Sequence, residues 1–347
     1  MSETQNMPAQ KIRYQYIDRA KAIAIMGVVF LHVNTYCFDN FRTDFSYSTL
    51  CSFLHLYQQP LFMFLSGLVA SSKIIGLKDL PNEIYKKLRV LVVPFLVIGL
   101  TFAYCSSKGA EGFFMSDAKL GFWYLWALFV MYITHFLYEL TIYKPSRTII
   151  RDLLWGGTLS ALLLCAKIFT PAHICSLLSL TAISWLYPFF FCGVMIKKYK
   201  LHELIFKNDV IYTICTLYCI TYMVLYAVGM RLPVKVAIFV FAPGAIPVIM
   251  NLLAKYEHQD SWFLNKLDFI GRNTLDVYTY HFFFLNIFTC RWLGDWIKAN
   301  YVPMLEFFVA IIPTILFLYA AIGLGQIIRR SNILKQVIYG LKDKGAK

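Results

Sequence analysis

Residues 17–32 run Ile17-Asp18-Arg19-Ala20-Lys21-Ala22-Ile23-Ala24-Ile25-Met26-Gly27-Val28-Val29-Phe30-Leu31-His32. Beyond Lys21 the stretch is apolar, and only His32 titrates near neutral pH. Such a run reads as the start of a membrane-spanning helix. An ionisable ring inside that helix is a functional-site candidate, because holding it away from water is costly. Lys21 and His32 are eleven positions apart. At 100° per residue they return to within about 20° of one helix face, about 16 Å apart along the axis. Asp18, three positions before Lys21, falls near the same stripe. The plainer alternatives are an i, i+3 ion pair at a helix end for Asp18 and Lys21, and a ring bonded to a neighbouring helix for His32.

The rest of the chain agrees with a membrane setting. Of its 347 residues, 59% are hydrophobic and only 15% charged, with a mean hydropathy of +0.59. A soluble domain with one core does not have this composition. Apolar spans fall near 22–38, 53–71, 90–105, 122–140, 153–169, 178–196, 210–228, 234–253, 275–291 and 303–325. The expected fold is therefore an all-α polytopic membrane bundle of about ten transmembrane helices. Its expected divisions are a cytoplasmic segment 1–21, an integral membrane domain 22–325 and a basic cytoplasmic tail 326–347.

Ten crossings put both termini on one side. With the N-terminus cytoplasmic, 25 of the 33 Lys and Arg residues fall on inner segments, as the positive-inside rule requires. The net charge of +14 is then explained by basic loops against an anionic leaflet, and no nucleic-acid partner is implied. No cleavage site follows the first apolar run, so it reads as a retained anchor. The tail after Gln326 reads as short, polar and partly disordered. The nine Cys show no metal-type spacing, and no metal is expected; Cys37 and Cys51, flanking the first outer loop, are a possible pair.

Three further clusters carry potential chemistry. Lys86, Lys87 and Arg89 precede the span containing Pro94; with Arg19 and Lys21 they would form a cationic mouth suited to a phosphate-bearing ligand, or they are ordinary positive-inside flanks. His281 follows Asn273, Thr274 and Tyr278 in the ninth span, as a second site histidine or a packing residue. His55, Gln58, Gln59 and Pro60 form a polar patch in the second span that faces either headgroups or an acceptor.

Five blocks in order now carry a resemblance. The opening Lys21-to-His32 spacing, Pro60-Leu61-Phe62-Met63-Phe64-Leu65-Ser66-Gly67, Lys86-Lys87-Leu88-Arg89 with Pro94, Phe122-Trp123-Tyr124-Leu125, and the block from Gly271 to His281 resemble the membrane-bound acyltransferase-three family. Lys21 stands where that family more often has Arg, with a Lys variant familiar in a sugar O-acetylase branch. Gln58 replaces a His common in that branch, and Leu68 replaces an aromatic residue.

The resemblance implies transfer of an acyl group, usually acetyl from cytoplasmic acetyl-CoA, to a hydroxyl of a carbohydrate or lipid-linked glycan in the bacterial inner membrane, with membrane lipid around it. Under it, His32 and Asp18 are catalytic candidates, and Lys21, Lys86 and Arg89 are donor-binding candidates. Ser66, His55, Gln58, Trp123, Asn273, Tyr278 and His281 are substrate-binding or supporting candidates. The rival is a glycan or lipid exporter using His32 and Lys21 as a relay, with Pro188, Gly193, Pro243, Gly244 and Pro247 offering the kinks such a transporter needs.

Overall fold

The computed structural model describes residues 14–38, 49–70, 76–141, 148–300 and 305–341. Among them the regular elements are all helical. In chain order they are α1 (Gln15–His32), α2 (Thr49–Leu68), α3 (Leu80–Lys87), α4 (Val93–Cys105), α5 (Gly109–Met115), α6 (Trp123–Thr141), α7 (Ile149–Phe169), α8 (Ala172–Leu178) and α9 (Leu180–Lys198). There follow α10 (His202–Phe206), α11 (Asp209–Ala227), α12 (Val234–Lys255), α13 (Trp262–Arg272), α14 (Thr274–Ile287), α15 (Arg291–Ala299), α16 (Leu305–Arg330) and α17 (Asn332–Tyr339). π-helical turns at Val33–Cys37 and Leu88–Val92 extend α1 and join α3 to α4.

Among the described residues, seven stretches are long and apolar enough to cross a bilayer: Gln15–Cys37, Leu80–Cys105, Ile149–Phe169, Leu180–Lys198, Asp209–Ala227, Val234–Lys255 and Leu305–Arg330. The chain is a polytopic helical membrane protein. Ten spans were expected, and the other three fall on α2, α6 and α14. At 14 residues, α14 rises about 21 Å, short of a hydrocarbon core of about 30 Å. α2 and α6 have the length, at 20 and 19 residues, but polar and aromatic side chains dilute their apolar character. These three helices line a cavity beside α1, which accounts for their weaker signal.

α1 is the hub, packing on α2, α12, α13, α14 and α16. Ala20, Ala22, Ala24, Ile25 and Val29 are completely buried, so this helix is surrounded by protein. α7 and α11 instead turn Leu154, Leu162, Ile214 and Leu217 outward, as helices facing lipid do. Small residues set the closest crossings. A Cβ at Gly67 of α2 would lie 1.9 Å from the Phe190 carbonyl oxygen of α9, and one at Gly193 of α9 would lie 2.1 Å from that of Phe64. One at Gly271 would meet the Asp18 carbonyl oxygen at 1.9 Å, fixing α13 on α1.

The described part of the tail after Gln326 is helical, and residues 342–347 lie outside the described residues: α16 continues to Arg330, and α17 folds back to bury Tyr339. Asp276 holds it there, accepting from Tyr339 Oη at 2.6 Å and Arg329 Nη1 at 2.6 Å. Burial and the bond to Asp276 push the Tyr339 hydroxyl above its ordinary range, so it stays a donor. α9 runs through Pro188, and α12 through Pro243 and Pro247.

Candidate active site

A cavity of about 190 Å³ opens beside α1, with Lys21, Val28 and His32 forming one wall. α2 contributes Gln58 and Ser66, α6 contributes Trp123 and Tyr124, and α14 contributes Thr274 and Tyr278. The helical stripe therefore turns toward protein, and one continuous space touches both its cation and its imidazole.

His32 Nδ1 and His281 Nε2 are 2.9 Å apart, and the rings stack within 4° of parallel. His281 Nδ1 lies 2.8 Å from the Val277 carbonyl oxygen, which can only accept. Nδ1 of His281 thus carries a proton, and in the neutral ring Nε2 is an acceptor. It follows that His32 donates from Nδ1 and keeps a bare lone pair on Nε2. A buried His281 with a main-chain partner fixes the tautomer and orientation of His32. Phe282, whose ring centroid is 4.8 Å from that of His32, keeps the pair dry.

The supporting wall is a hydrogen-bond chain. Tyr278 Oη donates to the Gly121 carbonyl at 2.9 Å and accepts from the Tyr124 amide at 3.1 Å. Ser66 Oγ donates to the Phe62 carbonyl at 2.9 Å, so the 2.8 Å contact with Tyr124 Oη is donated by the tyrosine. With its only proton engaged, Ser66 is a brace for Tyr124 and not a nucleophile. Gln58 differs: it is buried in the cavity wall, and its Oε1 lacks any hydrogen-bond partner. A buried carbonyl oxygen without a partner costs about 1–3 kcal/mol.

Other candidates lie elsewhere. Asp18 pairs with Lys21 at 3.4 Å and sits fourteen residues, about 21 Å of helix rise, below His32. It positions Lys21 and cannot touch atoms reacting at His32. Lys86 is exposed and paired with Glu83 at 2.6 Å, and Arg89 lies against the Tyr85 ring, so neither lines the cavity. The cationic mouth is reduced at the cavity to Lys21. Asn273 bonds the Phe269 carbonyl at the α13–α14 joint, 2.7 Å away, and His55 lies on α2 outside the cavity lining.

Arg19 is not part of a mouth either. It is 1% exposed and bidentate to Asp268, at 3.0 Å for both contacts, with a third bond of 2.6 Å to the Tyr256 carbonyl. This clamp joins α1 to α13. Its partner lies 249 positions away, so no local pattern announced it. The same holds for Asp276 with Arg329 and Tyr339. Tyr124, part of the block Phe122-Trp123-Tyr124-Leu125 but not among the candidate site residues, is a wall residue.

Arg19→Leu is expected to lower stability by about 3–5 kcal/mol, because Asp268 is left charged and unpaired, and Arg19→Leu with Asp268→Leu to recover most of the loss. Lys21→Met, at a side chain 27% exposed, is expected to change stability by less than about 1 kcal/mol. Thermal unfolding in detergent checks both. Equal losses for Arg19→Leu and Lys21→Met would contradict the division of labour between the two cations.

Comparison with known proteins gives one result. A family model described as an acyltransferase domain, that of acyltransferase family three, matches residues 14–323. No curated protein and no solved structure matches the chain.

Proposed function

The chain belongs to the acyltransferase-three family and is a membrane acyltransferase, and from that premise we propose that it moves an acetyl group from cytoplasmic acetyl-CoA to a hydroxyl of a carbohydrate or lipid-linked glycan in the bacterial inner membrane. The observation that carries this reading is the single cavity touching both Lys21 and His32. Lys21, at the proposed cytoplasmic edge, pairs with a donor phosphate, and the flexible arm spans the about 16 Å to His32.

At that depth His32 Nε2 takes the proton of the acceptor hydroxyl as its oxygen attacks the thioester carbonyl carbon. The carbon–sulfur bond then breaks, and the CoA sulfur leaves with the proton returned from His32. His281 holds Nδ1–H throughout and stabilises the imidazolium by its own tautomer. Lys86 and Arg89 have no part in this scheme. The same Nε2 lone pair would serve an acyl-carrier route, which releases one equivalent of CoA before any acceptor is added. The base route releases none.

Purified protein given acetyl-CoA and candidate glycans tests the proposal through free CoA. Turnover is expected, and Lys21→Met is expected to raise KM for acetyl-CoA about tenfold with a smaller change in kcat, the signature of lost ground-state binding. Glycan movement across vesicles without CoA release would overturn it in favour of an exporter.

A further inference from the structure

We propose that Cys37 and Cys290 form a disulfide on the outer face of the membrane, tying the ends of α1 and α14 together just beyond the two histidines. Cys37 closes the π-helical turn that follows His32, and Cys290 lies three residues past the end of α14, the helix of His281. The Cys290 amide donates to the Cys37 carbonyl at 2.8 Å. Cys37 Sγ donates to the Phe288 carbonyl at 3.2 Å, two residues before Cys290.

A direct backbone bond brings the two main chains to about the separation of neighbouring strands, which overlaps the window of about 4.4–6.8 Å between Cα atoms that a disulfide bridges. The junction is also tightly held. A Cβ at Gly294 of α15 would lie 1.7 Å from the Phe38 carbonyl oxygen, so the segments around the two cysteines cannot drift apart without breaking that packing. The sequence suggested Cys51 as the partner of Cys37; Cys290 is 253 positions away, where spacing gives no signal.

The compartment follows from the charge bias. With the N-terminus inside, the far end of the first span faces the oxidising side. A disulfide-bearing thiol carrier supplies the oxidant: one cysteine thiolate attacks the carrier disulfide, and the second displaces the carrier from the mixed disulfide. The two cysteines lose two electrons and two protons, and the carrier leaves as its dithiol. The inference rests on topology and geometry and does not depend on the acyl-transfer reading. Its consequence for the site is a covalent brace holding the two helices that present the 2.9 Å histidine pair.

Membranes quenched with N-ethylmaleimide and digested under non-reducing conditions should yield one linked peptide pair containing Cys37 and Cys290, lost on reduction. Dithiothreitol should lower the melting temperature of the full-length protein by several degrees, and Cys290→Ser should show the same lowering with no further effect of the reductant. Maleimide on both cysteines in native membranes that persists after oxidised glutathione is supplied before quenching, or a link from Cys37 to Cys51, would overturn the proposal. So would a melting temperature insensitive to both changes.

Discussion

Replacing His32 with alanine is expected to lower kcat for acyl transfer by about 10²–10⁴-fold while the protein remains folded. The ring borders the cavity, so truncation leaves space that water can fill, and it removes one hydrogen bond to His281 without stranding a charge. Steady-state CoA release gives the rate, and size exclusion with thermal unfolding gives the fold. His281→Leu is expected to cost less, about 10–100-fold, because it acts through the orientation of His32. Its distinguishing readout is the pH–rate profile: without His281 to hold Nδ1–H, the tautomer bearing the bare Nε2 is no longer selected, and the limb set by the base moves. A His32→Ala protein that turns over within a few-fold of wild type would remove the proposed base.

Gly67→Val is expected to prevent accumulation of folded protein. The position has no room even for one carbon, since a Cβ would sit 1.9 Å from the Phe190 carbonyl oxygen and 3.1 Å from the Val194 amide nitrogen. Both obstacles are backbone, so no side chain can rotate away, and α2 must separate from α9. Overpacking usually costs about 1–3 kcal/mol, and a clash against backbone belongs at or above the top of that range. The displacement would carry Gln58 and Ser66 with it, so residual protein should also lose turnover. Gly157→Ala is the control: nothing lies within 4 Å of a Cβ there, and Ala favours helix over Gly by about 1 kcal/mol. Extraction yield and melting temperature in detergent report both. A Gly67→Val protein as stable as Gly157→Ala would mean that α2 and α9 cross with room to spare.

Part of this arrangement is legible in the order of the amino acids. The stripe from Lys21 to His32 follows from helical periodicity alone, because both residues lie on one uninterrupted helix, Gln15–Cys37. The membrane class follows from composition. The three expected spans that do not recur as long apolar helices among the described residues are those on α2, α6 and α14, where the residues that build a polar cavity erode the apolar character. What the sequence concealed is pairing at long range. Arg19 sits two positions from Lys21 and reads like a second site cation, yet it points away from the stripe into Asp268. Lys86 and Arg89 read as phosphate ligands for the same reason, since composition counts charge and does not report direction. Gln58 was visible in a polar patch and in the place of a branch histidine; that its Oε1 is buried without a partner depends on the helices packed around it.

The most direct test is a cryo-electron microscopy structure of the His32→Ala protein with acetyl-CoA bound, in which the donor can dock but not react. The nucleotide phosphates are expected beside Lys21, with the arm inside the cavity and the thioester within about 5 Å of position 32, close to the reach of a general base. Donor bound away from Lys21, with its thioester outside the cavity, would contradict the shared-cavity assignment on which the proposed chemistry depends.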